Sequence, residues 1–193
     1  VVQNKVKDIN NFLDLEQFKI GKGVVSLKPG IELLPILEEI INTFGAKAQA
    51  KGIYLKLEKP EGAINVNADR EKLKSALFNV IDNSVKYTEK GGVTVKISNS
   101  QFLISNQNHN DQNSKPVVTI EVKDTGIGIP PDKLKNMFGG QFERTKQAEK
   151  TAPGSGVGLY LSSQIIKLHN GRIWAESVGE GRGSTFFIEL PLE

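Results

Sequence analysis

The sequence predicts an α+β fold, and three patterns carry the prediction. Three runs place apolar residues at helical spacing, six short runs alternate apolar and polar residues, and successive strands fall close enough together to pair as hairpins. A chain of 193 residues with 38% hydrophobic content can bury one main core with an appendage more naturally than two full domains. No apolar run approaches membrane-crossing length and no charged-then-apolar leader opens the chain, so a soluble domain is expected. The absence of cysteine excludes disulfides, thiolate zinc sites and thiol nucleophiles, and two histidines argue against a histidine-rich metal centre. A dispersed net charge of +3 predicts no nucleic-acid partner.

In chain order, Val2, Val6, Ile9, Leu13 and Ile20 keep a spacing near that of two packed helices until Gly21-Lys22-Gly23 stops the pattern. Such a seam needs a partner. Either the chain is part of something longer on its N-terminal side, or this helix folds back on its own domain. Residues 1–22 are therefore set apart from a main domain over residues 23–193. Leu34, Leu37, Ile41, Phe44 and Ala48 predict a core helix over residues 31–50, with Pro35 tolerated in its first turn. Ile53, Leu55 and Leu57 alternate as a strand, and residues 64–68 form another that ends at Asp69, a helix N-cap. The helix that follows has Leu73, Leu77, Val80, Ile81 and Val85 on its apolar face. Asn79, Asn83, Lys86 and Tyr87 share an adjoining stripe that can line a site.

Val93, Val95 and Ile97 begin a hairpin with residues 118–122, across a polar loop over residues 98–115 that holds His109. Phe102, Leu103 and Ile104 extend the first strand in this reading. Asp124 falls at the end of the second strand, and Gly126 and Gly128 after it let the backbone turn close to a ligand, although the same residues fit an ordinary tight turn. A short helix through Leu134, Met137 and Phe138 leads to a polar segment, residues 139–153, expected to be a mobile lid. Gly154-Ser155-Gly156-Val157-Gly158 then opens an apolar helix over residues 159–168, with His169 as a structural cap at its end. Residues 172–176 and 184–190 close the sheet as a hairpin. A glycine-rich turn entering a helix presents free backbone N–H groups, so residues 154–159 suit either phosphate binding or simple capping. They match neither a P-loop nor a dinucleotide fingerprint.

Taken together, residues 79–88, 124–128, 138–144 and 154–159 resemble, in this order, the N, first glycine, F and second glycine boxes of sensor histidine kinases. These belong to the wider ATPase superfamily that includes gyrase and Hsp90, and the resemblance covers residues 27–193. It implies the two-layer α/β sandwich of the Bergerat ATP-binding fold, a mixed sheet with helices on one face. It further implies the cofactors ATP and Mg²⁺. By the resemblance, Asp124 accepts the adenine amino group, Gly126, Gly128 and Ile129 shape the base pocket, and Tyr87 lies against the nucleotide. Asn79 and Asn83 hold Mg²⁺ and phosphate oxygens, a suitable pair for a hard cation that keeps several waters. Lys86 neutralises phosphate charge, Gly154, Ser155, Gly156, Val157, Gly158 and Leu159 form the phosphate turn, and Thr185 is a hydroxyl of the base pocket. Arg144 is the catalytic cation reaching the terminal phosphate.

Two departures stand out. Phe138-Gly139-Gly140-Gln141-Phe142 is one residue longer than the usual arrangement, which unsettles the roles of Phe138 and Arg144. Neither His109 nor His169 sits in a phosphoacceptor motif, so residues 1–22 are expected to be the tail of a dimerisation helix whose acceptor lies upstream. The implied partners are that dimerisation and phosphoacceptor domain, a response regulator receiver domain and a second copy in a homodimer. The implied location is cytoplasmic, with no membrane segment in this stretch, whether or not the parent is anchored. Three alternatives differ in chemistry: an ATP-hydrolysing switch, a nucleotide-binding module without catalysis, and a serine kinase of the same superfamily. The hydrolysing relatives carry a glutamate where Asn79 stands, and an amide cannot deprotonate water.

Overall fold

The computed structural model describes residues 24–100, 116–139 and 157–193. The expectations for residues 1–22, for His109, for strand extension through Phe102 to Ile104, for the lid beyond Gly139, and for Arg144, Gly154, Ser155 and Gly156 lie outside the described residues.

Strand β1 (Lys28–Glu32) leads directly into helix α1 (Leu33–Ala50), followed by β2 (Tyr54–Glu58), β3 (Asn65–Ala68) and helix α2 (Arg70–Tyr87). Then come β4 (Gly92–Ser100), β5 (Val117–Asp124), the short helix α3 (Pro131–Leu134), helix α4 (Gly158–Leu168), β6 (Arg172–Glu176) and β7 (Ser184–Pro191). Five strands form a mixed sheet in the order β2-β4-β5-β7-β6, with β2 and β4 parallel and the other neighbours antiparallel. The apolar alternation sets the register: Ile97 faces Ile120, Ile120 faces Ile188, and Ile188 faces Ile173. Val118, Ile120 and Val122 of β5 and Phe186, Ile188 and Leu190 of β7 bury one face of the sheet against the helices. The opposite face carries the stacked rings of Trp174 and Phe187.

The predicted apolar face of α2 is buried at every position, Leu73, Leu77, Val80, Ile81 and Val85. In α1 the buried stripe is Leu33, Ile36, Leu37, Ile40, Phe44 and Ala48. The predicted Leu34 and Ile41 lie at its edge. The predicted start of α1 is corrected as well. Residues 28–32 form a strand that pairs antiparallel with β3 in a separate two-stranded sheet, and helix begins only at Leu33. Pro29 and Gly30 concealed this strand, because both residues are poor strand formers in a sheet interior and are accommodated here at an exposed edge. Strand β4 continues to Ser100, beyond the predicted loop boundary at residue 98, and α3 ends at Leu134, with turns completing residues 135–138. Among the described residues no helix is long and apolar enough to cross a membrane.

Asp69 caps α2 as predicted. Its Oδ1 accepts the Lys72 N–H at 3.2 Å and its Oδ2 accepts the Ser26 N–H at 3.0 Å. His169 is buried at the far end of α4, where Nε2 accepts the Asp69 N–H at 3.0 Å, so the ring proton lies on Nδ1 and is donated to the Ile165 carbonyl at 2.8 Å. Both ring nitrogens are committed to backbone. The histidine joins the end of one helix to the start of another, the structural role expected of it.

Candidate functional site

Alternation along β5 puts Asp124 on the same face as Val118, Ile120 and Val122, so the buried apolar row ends in a carboxylate at its rim. Asp124 is only 6% exposed. Its Oδ1 accepts N–H bonds from Gly126 at 2.9 Å and from Ser184 at 3.1 Å, which leaves Oδ2 for the pocket that the residue lines. Burial pushes its pKa up from 3.8 to about 6, against the pull of the two amides and of the Ser84 hydroxyl close by.

The pocket in front of this carboxyl encloses about 560 Å³, part of it open to solvent. Its walls are mostly apolar, from Ile127, Ile129, Met137, Leu159 and Phe186, with Asn83 and Tyr87 entering from α2. A slot of this kind takes a flat apolar ring with one polar edge. The loop after β5 is fixed in place by its neighbours. The Ile127 N–H bonds to the Tyr87 carbonyl at 3.1 Å, the Gly181 N–H to the Ile127 carbonyl at 2.7 Å, and the Gly183 N–H to the Gly126 carbonyl at 3.1 Å. Ser177 ties the same loop to the β6–β7 turn, accepting the Ile129 N–H at 3.0 Å and donating to the Gly183 carbonyl at 2.7 Å. Two glycines are required here. Gly128 has φ +70°, and a Cβ on it would overlap the Gly179 carbonyl, while a Cβ on Gly126 would meet the Tyr87 carbonyl.

The N-terminus of α4 abuts α2 beside this slot. Asn79 is buried between the two helices, its Nδ2 3.5 Å from the Gly158 carbonyl, and the Ser162 hydroxyl lies within bonding distance of the Ala76 and Gly158 carbonyls. The end of α2 is held by Lys51, whose Nζ donates to the Val85 and Lys86 carbonyls at 2.8 and 2.9 Å, and burial lowers the pKa of this lysine. Lys86 extends over the Tyr87 ring, 5.2 Å from its centroid.

Of the residues singled out from the sequence, Asn83, Tyr87, Asp124, Gly128, Ile129 and Leu159 meet in the pocket wall. Asn79, Lys86, Gly126, Val157 and Gly158 stand beside it. Thr185 is not brought to the site. It pairs with Lys123 and Glu176 on the opposite face of the sheet, and its neighbour Ser184, the register partner of Asp124, lines the pocket instead. The physical reason is the two-residue strand period: a shift by one position exchanges faces. Sequence reasoning also missed Met137 and Phe186. Pairing β7 to β5 would have revealed Phe186, since it shares the face of Ser184, whereas nothing in the local pattern marks Met137. Among the described residues no group of three or more His, Cys, Asp or Glu is placed to hold a metal. A cation here would depend on the amide oxygens of Asn79 and Asn83, one turn apart on α2, and on oxygens brought by a ligand.

Residues 68–193 match the family described as histidine kinase-, DNA gyrase B- and HSP90-like ATPase. The chain is 31% identical over 191 residues to the sensor protein kinase WalK of Staphylococcus epidermidis, covering 99% of this chain and 29% of that protein. It is likewise 31% identical to WalK of Staphylococcus saprophyticus, again over 29% of the relative. The chain thus spans under a third of the length of these relatives. Among solved structures, full-length ShkA in complex with AMPPNP superposes with a TM-score of 0.73 at 25% identity, over 95% of this chain and 35% of ShkA. The Acinetobacter baumannii histidine kinase AdeS shares the fold, with a TM-score of 0.71 at 16% identity over 100% of this chain and 80% of AdeS.

Proposed function

The chain belongs to the histidine kinase-, DNA gyrase B- and HSP90-like ATPase family, and from this premise we propose that it is the catalytic, ATP-binding domain of a sensor histidine kinase. The observation that carries the reading is the Asp124 carboxyl, which lines an apolar slot with one oxygen bound to two backbone amides and the other free of them. The adenine amino group donates to Oδ2, and the ring lies between the apolar walls, with Tyr87 alongside. The triphosphate runs toward the start of α4, where backbone N–H groups and the positive end of the helix dipole favour anions. By the resemblance of their boxes, Lys86 and Arg144 would add charge for the phosphates, and Gly154, Gly156 and Gly158 backbone donors.

The donor set suits Mg²⁺: the side-chain amide oxygens of Asn79 and Asn83 are hard ligands of the kind this cation takes, alongside phosphate oxygens and water. When bound, the ion supplies charge neutralisation at the phosphates. Asn79 and Asn83 would hold it. The reaction is transfer rather than hydrolysis, because Asn79 occupies the position from which a base would activate water. A histidine nitrogen other than those of His109 and His169 attacks the γ-phosphorus. The bond to the ADP oxygen breaks, and the histidine loses its N–H proton as the phosphoramidate forms. The protein's share of this step is alignment and charge stabilisation. The acceptor domain, a homodimeric assembly and a response regulator that takes the phosphoryl group are further parts of this proposal.

The pH dependence of ATP binding tests it. Oδ1 is occupied by two donors, so protonation of Asp124 falls on Oδ2 and sets a second donor against the adenine amine. Binding must then expel that proton. Affinity is expected to be flat above pH 6 and to fall toward tenfold per pH unit below it. Calorimetry with inorganic tripolyphosphate, which titrates much as ATP does but has no base, isolates the protein's contribution. Equal pH profiles for the two ligands would remove Asp124 from base recognition.

A further inference from the structure

Ser84 lies on α2 directly after Asn83 and is 1% exposed. Its hydroxyl is the one buried side-chain oxygen or nitrogen among the described residues that has no hydrogen-bond partner. An orphan of this kind is uncommon in a well-packed interior, where alanine would fill the space without leaving a polar group unmet. The hydroxyl lies close enough to Asp124 to draw its pKa down. The carboxyl is asymmetric, with Oδ1 holding two backbone donors and Oδ2 none of them. An ionised Oδ2 has room for two donors, and the adenine amine is only one.

We propose that Ser84 is a positioning residue for base recognition: its hydroxyl donates to Asp124 Oδ2 when that oxygen carries charge, and so holds the carboxylate ready for the adenine amine. The proposal rests on the nucleotide-binding reading of the pocket. Among the described residues no charged side chain competes for the role. Val93 of β4 and Ser184 of β7 are the register partners of Asp124, Lys123 and Glu176 project from the other face, and Lys86 of α2 extends over the Tyr87 ring. The Gly126 amide in the following loop is already bonded to Oδ1. Tyr87 itself lines the pocket from the end of the same helix.

The test measures the ionisation of Asp124 directly. In protein labelled with ¹³C at aspartate carboxyl carbons, the nucleotide-free Asp124 resonance is followed against pH in the wild type, Ser84→Ala and Ser84→Thr. Removing the hydroxyl should raise the midpoint by about one pH unit, and threonine, which keeps it, should restore the wild-type midpoint. ATP affinity should shift with it: roughly threefold to tenfold weaker in Ser84→Ala near pH 6, by the same linkage, and converging on the wild type above pH 8. An unchanged carboxyl midpoint in Ser84→Ala would make Ser84 a filler of space and overturn the proposal. Failure of the nucleotide reading itself shows separately, as ATP affinity indifferent to Asp124→Asn.

Discussion

Replacing Asp124 by asparagine is expected to lower ATP affinity by about a hundredfold or more, roughly 3 kcal/mol, while making the nucleotide-free fold more stable at neutral pH. The two effects share one geometry. The amides of Gly126 and Ser184 both donate to Oδ1, so an asparagine must set its carbonyl there and turn its NH₂ into the pocket. A donor would then face the adenine amine, and size and packing would hardly change. The stability effect follows from linkage. Burial raises the folded-state pKa of Asp124 to about 6 from 3.8, so the folded protein binds the proton more tightly than the unfolded chain. Stability therefore declines as pH rises through this window, and above it the ionised carboxylate costs up to about 3 kcal/mol, taking about 1.4 kcal/mol per pH unit. Asparagine has no such cost. Denaturant titrations should show Asp124→Asn gaining on the wild type between pH 4 and pH 7 and levelling off above. A variant that binds ATP normally, or one destabilised at pH 8, contradicts this account of the carboxyl.

Gly128→Ala is expected to cost about 3 kcal/mol of stability or more and to abolish nucleotide binding. Alanine at φ +70° is strained by about 1 to 2 kcal/mol, and its Cβ would overlap the backbone carbonyl of Gly179, which has no side-chain freedom with which to yield. Relieving the overlap means separating the loop after β5 from the β6–β7 turn. That separation breaks the Gly181–Ile127 and Gly183–Gly126 bonds and frees Ile129, a pocket wall, from Ser177. By contrast, alanine at Gly179 meets nothing within 4 Å and strains only its own backbone. Thermal melts and ATP titrations of the two variants should differ widely. Equal behaviour would mean that the two loops are not coupled.

The sheet and the long helices were legible because their period is local. The buried stripe of α2 could be read from Leu73 to Val85, the β4–β5 hairpin from Val93 and Val122, and the place of Asp124 from the strand it ends. What could not be read depends on contacts between distant segments. Strand β1 exists because β3 supplies a partner, and nothing in Lys28-Pro29-Gly30 announces it. The resemblance points to Thr185 as the pocket hydroxyl, and only the pairing of β7 with β5 decides that its neighbour Ser184 faces inward. The position of His169 after α4 marks it as a cap, yet its bond to Asp69, 100 residues away, is a tertiary fact.

The central claim is that Asp124 and its pocket bind ATP for transfer to a histidine and not for hydrolysis, and the fate of the terminal phosphate tests it most directly. The protein is incubated with Mg²⁺ and ATP labelled in the γ-phosphate, together with the acceptor-histidine hairpin of the proposed parent kinase, supplied as a separate polypeptide. Acid-labile label should accumulate on the hairpin histidine, with little free phosphate, and should vanish with Asp124→Asn. Label appearing instead as free phosphate at the rate of ATP loss, with no phosphohistidine formed, would contradict the account and make the domain a hydrolysing switch.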